Sequence, residues 1–267
     1  MYRELAPAPE IAAHVATVWT RGPEPAAREH RIVPDACADI VWITGRRLLV
    51  AGPATGPVLS TIPEGGSAVG VRFRIGAAGS ALGVAAREVR DDHVALEAVW
   101  GRAGGELAER LAGVRTADEA VTVLTAAVAR RLPPPAAIDP LVRAAALGAR
   151  EPRRPVEDLQ GDLGIGARQL RRRFHDAVGY GPKTLQRVLR FQRFLALAEA
   201  ERTAGAADPD LAQLAFAAGY ADQAHLTREC TRLAGLPPAA LLATGAGPGG
   251  ERSPEFAPIA AAPGLAA

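Results

Sequence analysis

Arg172 and Arg228 hold equivalent places in two copies of one pattern. The first copy has Val156, Leu159 and Leu163-Gly164-Ile165-Gly166, then Ala167 to Phe174, then Val178-Gly179-Tyr180-Gly181-Pro182. The second has Leu211, Leu214 and Ala218-Gly219-Tyr220-Ala221, then Asp222 to Cys230, then Ala234-Gly235-Leu236-Pro237-Pro238. The offset is 55 residues up to Gly164/Gly219 and 56 from Leu170/Leu226, so the second copy gains one residue at its turn. Each copy reads as a short helix, a glycine turn, a second helix and a Gly-x-x-Pro stop, the shape of a helix-turn-helix.

The chemistry available to the second helix of each copy follows from its periodicity. Leu170 and Phe174 are four residues apart and must share the core side. At about 100° per residue, Arg168 and Arg172 lie opposite, with Arg171 on the flank. In the other copy Leu226 and Cys230 face the core, Ala224 and Arg228 point away, and His225 and Thr227 stand beside them. Arginine can bond guanine O6 and N7 with two donors, and Ala or Thr can touch a thymine methyl. Gln223, near a helix start, suits adenine or a phosphate. Lys183 and Arg187, at the start of the following helix, suit phosphate contacts. Arg173 reads as a surface or salt-bridge residue, and Arg190 as structural.

Charge distribution points the same way. The net charge of the chain is only +2. Residues 1–139 hold 15 basic and 16 acidic side chains, and residues 140–240 hold 15 and 11. Between 166 and 193 there are eight basic residues and one acid, Asp176. Such a segment is the footprint of a polyanion partner. Lys183 is the sole lysine, so arginine abundance follows coding bias and carries little weight by itself.

The elements that must position these side chains divide at Pro133-Pro134-Pro135. Before it, residues 14–21, 29–33, 38–44, 46–51 and 68–74 are β-branched or alternating runs separated by Gly, Pro and Asp. Thr44-Gly45-Arg46 is a hairpin candidate. Val69, Val71 and Phe73 should share one sheet face, with Arg72 and Arg74 on the other. Short helical turns at 78–83 and 85–89 and helices at 105–112 and 117–131 follow. The expectation is an α+β N-terminal domain over 1–132, a small antiparallel sheet or partial barrel with helices. A proline linker follows at 133–138.

Residues 139–243 should form an all-α double helix-turn-helix domain. An entry helix starts at the Asp139 cap with Pro140 in its first turn. The two units lie at about 155–176 and 210–231, joined by a long helix at 183–200. A short helix at 238–243 closes the domain, and 244–267 reads as a disordered tail.

This back half resembles the DNA-binding domain of AraC/XylS-type transcription regulators. Ala218-Gly219-Tyr220-x-Asp222-Gln223-x-His225-Leu226-Thr227-Arg228, with Gly235-x-x-Pro238, is similar to that family's second-repeat signature. The resemblance covers about 140–243. It implies base reading by Arg168, Arg171, Arg172, Gln223, His225, Thr227 and Arg228 on double-stranded DNA. It leaves room for RNA polymerase, a small-molecule effector and a second copy of the chain as further partners. His30 to Trp42 and Gly70-Val71-Arg72-Phe73 resemble an uncharacterised domain found ahead of such modules, which implies regulation without naming a ligand.

Three positions depart from the family pattern. Cys230 stands where the family, and Phe174 in the first copy, has a large aromatic, so the second unit should pack less tightly. Ala221 replaces the usual Ser cap, a loss of roughly 1 kcal/mol, and Asp222 beside it is the replacement. Gln160 replaces an alanine, which predicts a splayed or re-packed first unit.

Other chemistry finds little support. His30, Asp35, Cys37 and Asp39 form the kind of list that a strand-turn-strand produces by chance, so neither metal nor cofactor is expected. A rival reading makes Cys37 a nucleophile, because methylphosphotriester repair methyltransferases also carry an AraC-like domain. Those use a four-cysteine zinc site, and this front half has one cysteine. Cys37 therefore reads as a small buried apolar residue, and no enzyme is expected. Trp19, Trp42 and Trp100 are candidates to line a small-molecule pocket, or else core. The two cysteines form no disulfide framework. The N-terminus has no apolar signal core, and no window approaches about 18 uninterrupted apolar residues. The expectation is a cytoplasmic DNA-binding regulator; the alternative is an architectural DNA-binding protein whose front domain only dimerises.

Overall fold

The computed structural model describes residues 2–244 apart from 46, 152 and 206–208. The front half is built on an antiparallel sheet of strands β1 (Tyr2–Leu5), β2 (Val15–Arg21), β4 (Asp39–Ile43), β5 (Arg47–Ala51), β7 (Ala68–Phe73) and β8 (His93–Ala95). Their order is β1-β2-β7-β4-β5-β8. Strands β3 (Arg28–Ile32) and β6 (Val58–Ile62) pair separately as a two-stranded ribbon.

Both faces of the sheet are covered, which explains the unbroken apolar run Ile40-Val41-Trp42-Ile43. On one face Ile40, Trp42, Val69, Val71 and Phe73 meet helices α1 (Ala78–Leu82), α2 (Leu96–Trp100), α3 (Arg102–Ala112) and α4 (Ala117–Ala129). On the other, Trp19, Val41, Ile43 and Leu49 pack with Ile62 of the ribbon. The alternation in β7 thus sends Val69, Val71 and Phe73 to the helices, and Arg72 to the ribbon side. Gly70 lies opposite Trp19 in the register, and a Cβ there would strike the indole. The 44–46 hairpin joins β4 to β5, although Arg46 itself falls outside the described residues.

Pro133-Pro134-Pro135 follows the end of α4, and a single turn of 3₁₀ helix spans Pro135–Ala137. Helix α5 (Pro140–Gly148) then begins under the Asp139 cap, which accepts from the N–H of Leu141 at 2.9 Å and Val142 at 3.3 Å. The first helix-turn-helix is α6 (Val156–Leu163) and α7 (Ala167–Ala177). Helix α8 (Pro182–Thr203) crosses to α9 (Leu211–Ala218) and α10 (Gln223–Ala234), and α11 (Pro238–Ala243) closes the bundle. The expected tail beyond Thr244 lies outside the described residues.

The two turns differ as the sequence offset requires. Both α6 and α9 stop at a left-handed glycine, Gly164 (φ 61°) and Gly219 (φ 96°), a conformation an L side chain resists. Gly166 then precedes α7 directly, whereas Tyr220 and Ala221 lie between Gly219 and the Asp222 cap. Asp222 accepts from His225 N–H at 2.6 Å and so replaces the missing serine cap.

The helical core gathers Leu159, Leu170, Phe174, Leu226 and Cys230 around α8. Burial of such side chains stabilises the fold by about 1.5–3 kcal/mol each. Three residues of the front half, Ala36, Cys37 and Ile75, belong to this same core.

Candidate nucleic-acid interface

The buried sides of α7 and α10 are the ones the periodicity selects. Leu170 and Phe174, and Leu226 and Cys230, are wholly buried. Arg168, Arg171 and Arg172 are exposed on α7, as are Gln223 and Arg228 on α10. His225 and Thr227 are half-buried and locally engaged. Thr227 Oγ1 donates to the Gln223 carbonyl at 2.9 Å, and His225 Nδ1 accepts from Ala221 N–H at 3.4 Å. The His225 ring stands edge-on to Tyr220 at 5.2 Å. These two side chains therefore shape the start of α10 as well as bordering its exposed side.

The phosphate candidates separate. Lys183 is 80% exposed, with Glu157 no closer than 3.8 Å. Arg187 is instead committed within the protein: its Nε and Nη2 donate to the two carboxylate oxygens of Glu229 at 2.6 and 3.1 Å. That bidentate, charge-assisted pair ties α8 to α10. Arg173 donates to Asp139 at 2.7 Å, and the Arg190 guanidinium lies 5.6 Å from the centre of the Tyr220 ring.

The fold places the other two departures. Cys230 is fully buried among the helical core residues, and burial pushes its thiol pKa up to about 12. Gln160 sits half-buried at the rim of a cleft, while α6 keeps its packing through Val156 and Leu159.

That cleft, about 580 Å³, was not foreseen. Arg171, His175, Lys183, Arg187 and Arg232 line it from the helical side, and Arg90 from the front half. Burial lowers the pKa of His175, and Arg171, Arg90 and Arg87 lower it further. The histidine thus senses a positive field at this edge of α7. Arg90 comes from a turn about 80 residues upstream in sequence, and no local pattern there marks it as part of a basic surface.

The front half contacts both α7 and α10 at their C-terminal ends. Arg87 pairs with Asp176 of α7, and Arg90 donates to the Gly179 carbonyl at 3.4 Å. Arg31 donates to the carbonyl of Ala234, the last residue of α10, at 3.0 Å, where a cation also suits the helix dipole.

The tryptophans do not share a pocket. Trp19 lines a cavity between the sheet and the ribbon. Trp42 is on the opposite sheet face, and Trp100 packs with the helices there, beneath Arg131. Strand alternation separates the first two, because Trp42 pairs across from Val69 while Trp19 pairs across from Gly70.

Residues 160–244 match the family model described as a helix-turn-helix domain. This segment is an AraC-type helix-turn-helix domain. Residues 3–95 match a second model, a domain of unknown function designated DUF6597. The chain therefore carries a helix-turn-helix domain of AraC type behind an antiparallel-sheet domain of unknown function. The chain has no match among curated proteins. Among solved structures, ToxT from Vibrio cholerae aligns at 12% identity, covering 81% of this chain and 97% of ToxT, with a TM-score of 0.42. ToxT bound to an unsaturated fatty acid, from strain SCE256, aligns at 10% identity over 83% of this chain and 96% of ToxT, with a TM-score of 0.41. Among the described residues, no helix is long and apolar enough to cross a membrane.

Proposed function

We propose that this chain is a transcription regulator that binds double-stranded DNA sequence-specifically, with α7 and α10 in successive major-groove segments. One observation carries the reading. Two helices of equivalent position each bury one apolar side and leave an arginine-bearing side exposed, while the front half holds both from their C-terminal ends. Such helices enter the groove by their N-terminal residues, and those are the residues left uncovered here. Arg172 and Arg228 read base edges in this arrangement, Lys183 holds a phosphate, and Arg187 sets the geometry of α10.

The front half modulates binding, because its segment 31–37 touches both α8 and α10. Arg31 holds the end of α10, Gln192 of α8 donates to the Pro34 carbonyl, and Ala36 and Cys37 lie in the helical core. A change in that segment alters the relative placement of the two units, which is a coupling free energy in the usual sense. No catalytic step is required.

The test is selection of the full chain on a random double-stranded DNA pool, followed by binding to the enriched and scrambled sequences across salt. The expected outcome is one directional site with two unlike half-sites about one helical turn apart. Absence of any enriched sequence would overturn the proposal.

A further inference from the structure

The loop between β5 and β6 reads Gly52-Pro53-Ala54-Thr55-Gly56-Pro57, two Gly-Pro steps four residues apart. Each proline meets one of the two helix-turn-helix units. A Cβ added at Gly179, just past α7, would lie 2.5 Å from Pro53 Cγ, and one added at Gly235, just past α10, would lie 3.3 Å from Pro57 Cγ. Gly179 and Gly235 are themselves equivalent under the 56-residue offset of the two copies. Both have a left-handed backbone, at φ 95° and 73°. An arginine accompanies each proline. Arg90 donates to the Gly179 carbonyl at 3.4 Å, and Arg31 to the Ala234 carbonyl at 3.0 Å. The front half therefore touches the two units at the same place in each, with the same pair of residue types.

The loop is stiff. Each proline fixes its own φ, and the turn at 89–92 clamps the rest. Gly52 N–H donates to the Asp92 carbonyl at 3.1 Å, and Asp91 N–H to the Pro53 carbonyl at 3.3 Å. Thr55 N–H and Oγ1 donate to Asp91 Oδ1 at 2.6 and 2.9 Å. Arg90 extends from that same turn. Helix α8 carries the chain from the first unit towards the second, and a long helix bends along its length. Such a connection leaves the far ends of α7 and α10 able to shift against each other. A second, stiff connection across those ends removes that freedom. Docking for stability alone requires buried area and does not select equivalent points in both copies.

We infer that the 52–57 loop is a brace that fixes the separation of α7 and α10, and with it the half-site spacing the chain accepts on DNA, with Pro53 and Pro57 as positioning residues. This role rests on the DNA reading proposed above. In an unbraced chain α7 and α10 follow half-sites moved closer or farther apart. In the braced chain DNA of the wrong spacing must itself deform, which costs free energy.

The test has two arms on the full chain, and the first contains no DNA. Spin labels on Gln169→Cys and Thr231→Cys, both exposed sites, report the separation of α7 and α10 by double electron–electron resonance, while the buried Cys37 and Cys230 stay unlabelled. The distance distribution should be narrow. Insertion of two glycines between Thr55 and Gly56 should broaden it, and the same insertion after Glu64, between β6 and β7, should not. Pro57→Ala, at an exposed position, is the second variant should the insertion fail to fold, with the same expected broadening. The second arm measures affinity, without labels, for the selected site and for versions with one base pair added or removed between the half-sites. The unaltered chain should bind either version about tenfold more weakly, because a shift of about 3.4 Å must be made up by deforming the DNA. The insertion variant should lose less than about threefold. A loop that only stabilises the fold would, when altered, lower the melting temperature or the affinity for all three DNAs alike and leave the discrimination intact. A distribution that stays narrow overturns the brace, whatever the chain does on DNA. A broadened distribution with unchanged discrimination overturns its role in specificity. If no DNA sequence is selected, the proposed function fails, and the first arm still decides whether the loop fixes the separation of α7 and α10.

Discussion

Gln192, midway along α8, donates its side-chain N–H to the backbone carbonyl of Pro34 at 2.6 Å in a buried contact between the two halves of the chain. Gln192 is one of few polar side chains in the interior, at 5% exposed. Replacement by leucine preserves much of its volume and leaves the Pro34 carbonyl unpaired. Gln192→Leu should lower stability by about 1–3 kcal/mol, seen as a lower denaturation midpoint. If the midpoint is unchanged, the contact is not maintained in solution.

The same seam bears on whether the helical half folds alone. The proline run and the change of period predict that residues 136–245 form an independent unit. In that fragment the sites of Ala36, Cys37 and Ile75 become exposed. The fragment should be helical by circular dichroism and bind DNA, but melt at a lower temperature than the full chain. A fragment without helical signal would overturn the boundary.

Legibility followed periodicity. The helices of the back half and strands β2, β4, β5 and β7 have long apolar patterns, and the sequence placed them to within a few residues. Strands β1, β6 and β8 were not foreseen. β8 has three residues, and β6 pairs only with β3, so Leu59 and Ser60 on a partly exposed ribbon carry little alternation. The exposed sides of α7 and α10 were legible because their cores are local. Arg187–Glu229 and the Arg90 edge of the cleft were not, since they depend on how α8, α10 and the front half come together.

Cys230 tests how far the second unit has adapted to its smaller side chain. The thiol is wholly buried, and its neighbours Leu226, Leu233 and Ala234 belong to the same core. Cys230→Phe should overpack this site and lower stability by about 1–3 kcal/mol. A rise in melting temperature would reveal a void, as the family pattern suggested.

Acid should weaken the fold through its histidines. Burial lowers the pKa of His14, His30, His93 and His175 from the usual 6.5. The unfolded chain then takes up protons first. The stabilisation is fully present above pH 6.5 and is lost as pH falls through the depressed folded values. Asp35 acts in the opposite sense: its raised pKa adds stability as pH falls toward 3.8. His14 should dominate the loss, because it is 1% exposed and its Nε2 has no hydrogen-bond partner among the described residues. Melting temperature should decline below pH 6.5 in the wild type and less steeply in His14→Gln. Parallel curves would remove His14 as the cause.

Arg172 and Arg228 decide the base-reading assignment. Each lies opposite a buried pair, Leu170/Phe174 and Leu226/Cys230, and each is exposed. Each Arg→Ala change should cost roughly 1–3 kcal/mol on the selected site and relax preference at one or two base pairs. Lys183→Ala should weaken all sequences alike and reduce the salt slope by about one. Arg187→Ala should behave differently from all three. Its guanidinium is held by Glu229, so the loss should appear as a lower melting temperature and a misplaced α10, with Glu229→Gln producing the same phenotype. Binding of the variants to selected and random DNA across salt separates these outcomes. Equal losses on both DNAs for Arg172→Ala and Arg228→Ala would make these side chains phosphate contacts and remove the base-reading role. A salt slope that drops for Arg187→Ala with unchanged stability would return that residue to the phosphate contacts.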